Sequence, residues 1–172
     1  MGWKNVKEHY RIKHTVQVRE GLICIGSVYI HDLIAIRFNG TIVENNEKHS
    51  NEDLARYKKE MIADMAKLKE LIDTPDVFER SITIWTYDEG DIIEKQCETP
   101  EWPNVTHDGQ MIYENMFSVN RAEVVEWAKE NALLWRDRYV ECIEETNERI
   151  VELQAELNKA QAAIDKLALL DS

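Results

Sequence analysis

The sequence predicts an α+β protein: a small antiparallel sheet built from hairpins, one amphipathic helix packed against it, and a long C-terminal helix that forms a coiled coil. Three observations lead to this class. Apolar and β-branched segments surround short glycine-containing turns over residues 15–43 and 81–97. Between these regions, apolar side chains recur at helical spacing over residues 54–72. Beyond Gly109 the chain has no further glycine or proline, so a helix can continue without interruption.

Two hairpins are predicted in the N-terminal region. Residues 15–25 alternate as Thr-Val-Gln-Val, reach a Glu-Gly turn at 20–21, and continue as an apolar strand. Residues 33–43 are apolar on both sides of Asn-Gly at 39–40. This dipeptide favours a two-residue type I′ turn, because both of its residues accept a positive φ.

The central helix and a third hairpin follow. Ser50 to Asp53 can cap a helix of about 22 residues that stops at Thr74-Pro75. Its apolar face is formed by Leu54, Tyr57, Met61, Met65, Leu68 and Ile72. Residues 81–87 then form a strand, 88–91 a turn, and 92–97 a returning antiparallel strand.

The C-terminal helix is predicted to begin after Asn120, with Glu123 as its capping partner. We therefore predict a globular domain over residues 1–119 and a helix over 120–172, of which 120–140 packs on the domain and 141–170 forms the coiled coil. Its first core position holds Ile143, Ile150, Leu157 and Ile164, and its second holds Thr146, Leu153, Ala160 and Leu167.

The exposed stripe of this helix needs a partner. We predict self-association as a homodimer through Ile143, Ile150, Leu153, Leu157, Ile164 and Leu167. Isoleucine at the first core position and leucine at the second favour a parallel two-stranded coil, although Thr146 and Ala160 weaken it. The alternative is that the stripe folds back on its own domain.

Composition and charge narrow the function classes. The net charge of −12 disfavours nucleic acid, since it repels phosphate at long range. No apolar run approaches the roughly 20 residues of a membrane span, and no secretory signal is apparent. The three cysteines form no Cys-x-x-Cys pair, and His9 and His14 lack zinc-helix spacing, so we predict no metal and a cytoplasmic location.

Residues 21–36, GLICIGSVYIHDLIAI, place a thiol, a hydroxyl, an imidazole and a carboxylate among apolar side chains. Cys24 lies between two isoleucines, which do not lower a thiol pKa, so a buried structural cysteine is predicted. Gly26-Ser27 has neither the second glycine nor the helix of a phosphate loop, and is interpreted as a bend or bulge. His31 and Asp32 are interpreted as a polar pair at a strand boundary.

The irregular segment at residues 100–115 is the strongest candidate site. Its Asp-Gly turn presents His107 on a loop, close in sequence to aromatic rings and polar groups that could bind a ligand. The candidate ligand-binding residues are Trp102, His107, Asp108, Tyr113 and Asn115. The alternative is a well-packed loop. No nucleophile, acid or base completes a recognisable constellation, so we predict no catalytic residue and no cofactor.

Three segments carry a resemblance: CIGSVYIHDLI at residues 24–34, WPNVTHDGQMIYENMFS at 102–118 and AEVVEWAKENA at 122–132. Together they resemble small uncharacterised proteins from phage and prophage accessory regions. The resemblance extends over residues 3–132 and implies a viral or prophage origin, with no catalytic residue attached. Phage accessory proteins of this size often act by binding, for example as inhibitors of host defence.

These observations lead to two hypotheses of different class. The first is a non-enzymatic accessory protein that binds a host protein or defence system as a coiled-coil dimer. The second is a small-ligand-binding or hydrolytic domain that uses the loop around His107, with N-terminal basic residues meeting an anionic compound such as a nucleotide. The missing catalytic constellation favours the first.

Overall fold

The structure, a computed structural model, describes residues 2–43 and 51–168. Ser50, predicted within the first helix cap, and residues 169–170 of the predicted coil lie outside the described residues. The helices are α1 (Trp3–His9), α2 (Glu52–Ala63), α3 (Met65–Asp73) and α4 (Arg121–Ala168). The strands are β1 (Thr15–Arg19), β2 (Leu22–Gly26), β3 (Ile34–Arg37), β4 (Ile42–Val43), β5 (Ile82–Asp88), β6 (Asp91–Cys97), β7 (Asn104–Val105), β8 (Met111–Ile112) and β9 (Phe117–Ser118).

The α+β class is confirmed, with antiparallel hairpin sheets and a long C-terminal helix. One sheet has the order β1-β2-β3-β4, a second has the order β6-β5-β9, and β7 pairs with β8. The chain divides into two compact units, Met1–Glu126 and Trp127–Ser172. No helix within the described residues is long and apolar enough to span a membrane.

The first and third predicted hairpins are confirmed, and both turn through a Glu-Gly pair. Arg19 pairs with Leu22, and the intervening Glu20 and Gly21 have φ of 51° and 77°. The β5–β6 hairpin repeats this geometry at residues 89–90, with φ of 47° and 101°. Two successive residues with positive φ give the turn the twist of the adjoining strands.

The Asn39-Gly40 hairpin is present, but the predicted two-residue turn is wrong. Ile36 pairs with Ile42, and Gly40 N–H donates to the Arg37 carbonyl at 2.8 Å, which closes a three-residue loop. Gly40 has a φ of 86°, whereas Asn39 keeps a negative φ. The Asn39 side chain accepts a hydrogen bond from the Thr41 N–H at 2.9 Å, so it stabilises the longer loop.

The single helix predicted over residues 52–73 is in fact two helices. Asp64, with φ −142° and ψ 75°, ends α2 and caps α3 by accepting from Lys67 N–H at 2.9 Å. Asn51 caps α2 in the same way. The apolar face survives the break, since Tyr57, Met61 and Leu68 are fully buried. An aspartate that binds a backbone N–H two or three residues ahead competes with the helix at its own position.

One face of the first sheet and three helices enclose the main core. Val16, Ile23, Ile25 and Ile36 point to the same cluster as the α2 and α3 side chains. Helix α1, which the sequence pattern does not predict, adds Trp3, Val6 and the following Tyr10 to it. The Asn5 N–H in its first turn donates to Asp76 at 2.9 Å. With only two turns, α1 depends on these tertiary contacts.

Helix α4 carries a continuous set of exposed apolar side chains. Asn120 caps it by accepting from Ala122 N–H at 3.0 Å, as predicted. The predicted capping partner is wrong, because the Asn120 N–H donates to Ser118 Oγ at 3.0 Å and Glu123 instead accepts from the Ser118 hydroxyl at 2.6 Å. Val124 is fully buried within the first unit. In the second unit, the exposed large apolar residues are Leu133, Leu134, Trp135, Tyr139, Val140, Ile143, Ile150, Val151, Leu153, Leu157, Ile164 and Leu167. The coiled coil itself stays a prediction.

Candidate functional site

The loop between β7 and β8 is held by hydrogen bonds among its own residues and by one to strand β1. Thr106, fully buried, accepts from Gln110 N–H through its hydroxyl oxygen at 3.2 Å, and its own carbonyl accepts from Gly109 N–H at 2.8 Å. The Gly109 carbonyl in turn accepts from Val18 N–H at 2.7 Å, which joins the loop to the outer edge of β1. These bonds hold residues 106–110 in one conformation against the first sheet.

His107 is engaged on its ring and on its backbone. Its ring stacks on Phe78 with centroids 3.8 Å apart, and Nε2 lies 3.1 Å from the Arg80 carbonyl oxygen. Its backbone N–H donates to the Gln96 carbonyl at 2.8 Å, and its carbonyl accepts from Trp3 Nε1 at 3.1 Å. His107 thus joins three segments of the fold, one through its ring and two through its backbone. The contacts of the ring with Phe78 and Arg80 leave it poorly placed to act as a general base.

Asp108 is held by two neighbours in the same unit. Its carboxylate pairs with Lys95 and accepts from the Thr106 hydroxyl. Burial by itself would raise the pKa of Asp108, but these hydrogen bonds and the Lys95 charge outweigh burial and lower it. Asp108 is therefore an anion whose charge is already balanced.

The two aromatic residues of the predicted site are in contact with each other. Trp102 and Tyr113 stack with centroids 5.3 Å apart and planes inclined by 27°. Both remain partly exposed, and Asn115 lies on the short 3₁₀ helix Glu114–Met116 with an exposed side chain. The five predicted ligand-binding residues are thus divided between an aromatic pair, a histidine held within the fold, a paired carboxylate and an exposed asparagine, rather than converging on one point.

A cavity of about 680 Å³ opens between this loop and the first sheet. Of the five predicted ligand-binding residues, Asp108 and Tyr113 line this cavity. Trp102, His107 and Asn115 do not. The lining residues are Gln17, Val18, Arg19, Glu20, His31, Asp108, Gln110, Met111 and Tyr113. Its volume falls in the range of about 300–1,000 Å³ typical of small-molecule sites.

The sheet side of the cavity contributes residues that the sequence does not identify as a site. Gln17 is 6% exposed, and its Nε2 has no hydrogen-bond partner among the residues that the structure describes. His31, interpreted from sequence as a boundary residue, also lines the cavity, and no residue within 2–43 or 51–168 forms a hydrogen bond with its buried Nδ1. A glutamine in the middle of an apolar strand is the available signal, but the same alternation describes an ordinary solvated face.

The other groups of the GLICIGSVYIHDLIAI segment have structural roles. Cys24 is 3% exposed, and burial, followed by the nearby Asp32 charge, raises the pKa of its thiol. A raised pKa disfavours the nucleophilic thiolate. Ser27 makes the predicted turn, because its hydroxyl accepts from Ile30 N–H at 2.9 Å.

Comparisons of the chain with protein-family models, with curated proteins and with solved structures found no match. The resemblance to phage and prophage accessory proteins therefore stays a prediction from the residues that carry it. Within the described residues, no group of three or more histidine, cysteine or carboxylate side chains is placed to hold a metal ion. The geometry offers a polar cavity and an exposed helix face.

Proposed function

We propose that this protein is a non-enzymatic binding protein of the phage accessory type, which acts in the cytoplasm on a host protein or defence system as a homodimer joined by helix α4. The observation that carries the proposal is the exposed heptad on that helix. The clamped ring of His107 supports binding over hydrolysis, because the imidazole is already used within the fold.

The heptad forms a seam, defined as residues 143, 146, 150, 153, 157, 160, 164 and 167. Its large side chains are exposed by 46% at Ile150 to 66% at Leu157. An apolar stripe of this length is unfavourable in water, and a heptad sustained over three to four repeats is typical of a coiled coil. The occupant that fits an a/d spacing is another helix with the same spacing.

The flanks of the seam favour a second copy of this chain. Asn147, Gln154 and Gln161 occupy the position that faces the partner helix on one side, and all three are uncharged. Two identical helices therefore meet there without like-charge repulsion, which otherwise opposes symmetric pairing.

The test compares two double variants of the full chain by sedimentation equilibrium. Ile150→Glu with Leu157→Glu places two carboxylates in the seam. Val151→Glu with Asn158→Glu adds the same groups one residue further along, outside it. We expect the wild type and the second variant to have twice the mass of the chain and the first variant to be a monomer.

Two results would contradict the proposal. A wild type that sediments as a monomer at micromolar concentration removes the dimer. Equal masses for the two double variants would mean that the seam does not form the contact. For the partner, affinity capture from host cells should recover the same host protein with the dimer, and recover less of it with the seam variant.

A further inference from the structure

The cavity beside β1 contains a buried amide without a partner. Gln17 pairs in register with Cys24, which pairs with Ala35, and all three are buried on the sheet face opposite the main core. In the described part of the chain, no group accepts a hydrogen bond from the Nε2 of Gln17. Burying an amide in this way is unfavourable unless something supplies an acceptor, so such groups are rare in native proteins.

A second unpaired group lines the same cavity. His31 Nδ1 is buried, and none of the described residues forms a hydrogen bond with it. The segment that carries it lies directly on the strand, because a Cβ added to Gly26 would be 2.7 Å from the His31 carbonyl carbon. The close packing at Gly26 thus fixes the backbone that positions this imidazole. The cavity, at about 680 Å³, is far larger than the roughly 30 Å³ that a single ordered water needs, so it has room for a larger ligand.

The charged groups around the cavity are already paired. Arg19 lies 3.4 Å from Glu20, and Asp108 pairs with Lys95. The whole chain has a net charge of −12. An anionic ligand would be repelled by the carboxylates of Glu20 and Asp108 and by the negative charge of the whole protein. A cationic ligand would have to compete with Arg19 and Lys95, which already pair with these carboxylates. An uncharged ligand therefore fits best.

We propose that this cavity binds an uncharged planar compound of the nucleobase class, with Gln17 bonded to the ring edge and His31 to a second polar group. A glutamine amide presents a donor and an acceptor side by side, the arrangement that pairs with the edge of adenine. Tyr113 supplies an aromatic wall, held in orientation by its stacking on Trp102. The site is separate from the seam on α4.

The experiment is calorimetric titration of the full chain with adenosine, guanosine, cytidine and uridine, and with AMP as the anionic comparison. We expect at least one of the four nucleosides to bind. If adenosine binds, we expect it to bind more tightly than AMP, which has the same base and sugar with an added anionic phosphate. Gln17→Met, which keeps the length of the side chain without its polar atoms, should weaken this binding by at least about tenfold. Gln154→Met makes the same change on α4 and should leave binding unchanged.

Stability separates a ligand site from a structural glutamine. In the absence of nucleoside, Gln17→Met should raise the melting temperature, since it removes a buried amide without a partner. A lowered melting temperature would show that Gln17 is satisfied within the fold, and would overturn the inference. Tyr113→Leu, at a half-exposed position, should keep the fold and weaken nucleoside binding.

The remaining outcomes are equally decisive. The inference fails if none of the four nucleosides binds, if AMP binds more tightly than adenosine, or if Gln17→Met binds as the wild type does. The seam variant Ile150→Glu with Leu157→Glu should bind nucleoside normally. The dimer proposal is therefore tested by sedimentation equilibrium and the nucleoside-binding proposal by calorimetric titration, so that one can fail without the other.

Discussion

Gly109 shows how one residue joins the candidate loop to the first sheet. Its φ is 84°, and an added Cβ would lie 3.0 Å from Trp3 Cδ1 and closer still to the side chain of Val18. Its carbonyl is also the acceptor for Val18 N–H. The absence of a side chain therefore serves both the backbone conformation and the contact with the sheet.

Gly109→Ala should destabilise the protein more than Gly21→Ala, which is a matched control. Gly21 also has a positive φ, 77°, but no described residue lies within 4 Å of its added Cβ. The control should lose about 1–2 kcal/mol for its left-handed backbone. Gly109→Ala should lose about 1–3 kcal/mol more because the methyl group overpacks the contact. Urea unfolding measures both, and equal losses would mean that the loop moves away without cost.

At the scale of elements, the break between α2 and α3 is the clearest departure from the sequence pattern. The apolar spacing continues through it, so periodicity alone predicts one helix. Asp64 interrupts the backbone while Met61 and Leu68, on either side, remain fully buried. The hydrophobic pattern is compatible with one continuous helix or with two helices, and the hydrogen bond from Lys67 N–H to the Asp64 side chain favours two.

Asp64→Ala should lower the free energy of unfolding by about 1 kcal/mol, because α3 loses the acceptor for its Lys67 N–H. Asp64→Asn retains a side-chain oxygen and should be close to the wild type. Chemical denaturation followed by circular dichroism gives both values. An alanine variant as stable as the wild type, with more helical signal, would indicate that the two helices have merged without penalty.

For the whole molecule, charge is unevenly distributed along the chain. Residues 141–172 hold eight acidic and three basic residues, whereas residues 1–43 hold six basic and three acidic residues. Some of the helical charge is paired within α4, as between Arg149 and Glu152 at 2.7 Å. Although the flank at residues 147, 154 and 161 is uncharged, two copies joined along the seam would still bring together the excess acidic charge of the rest of each helix, so self-association has to overcome this longer-range repulsion.

Raising the salt concentration should therefore tighten the proposed dimer. Between about 0.1 M and 1 M salt the screening length falls from about 10 Å to 3 Å, which weakens repulsion between the acidic helices. Sedimentation equilibrium should show a dissociation constant several-fold lower at high salt. The variant Val151→Glu with Asn158→Glu should depend more steeply on salt. A dissociation constant that rises with salt would show that ion pairs between the copies hold the dimer.

The elements defined by strong local patterns could be predicted, and the site could be predicted only in part. Hairpins 15–26 and 82–97 follow from alternation and glycine turns, and α4 from a long stretch without helix breakers. Helix α1 and β9 could not be predicted, because each is too short to have a periodic signature and is held by tertiary contacts. Of the residues that line the proposed cavity, Asp108 and Tyr113 were named from their loop in the sequence, but Gln17 was not.

By itself the sequence determined the fold class, the two Glu-Gly hairpins, the burial of Cys24 and the exposed heptad, since each depends on neighbours within a few residues or on one helical period. The tertiary structure alone decided that His107 is clamped by Phe78 and that Gln17 faces a cavity. Those facts depend on which distant segments meet, as when Gly109 binds the edge of β1. A local sequence pattern indicates which secondary structure and burial a side chain favours, whereas the packing of distant segments determines which residues it contacts.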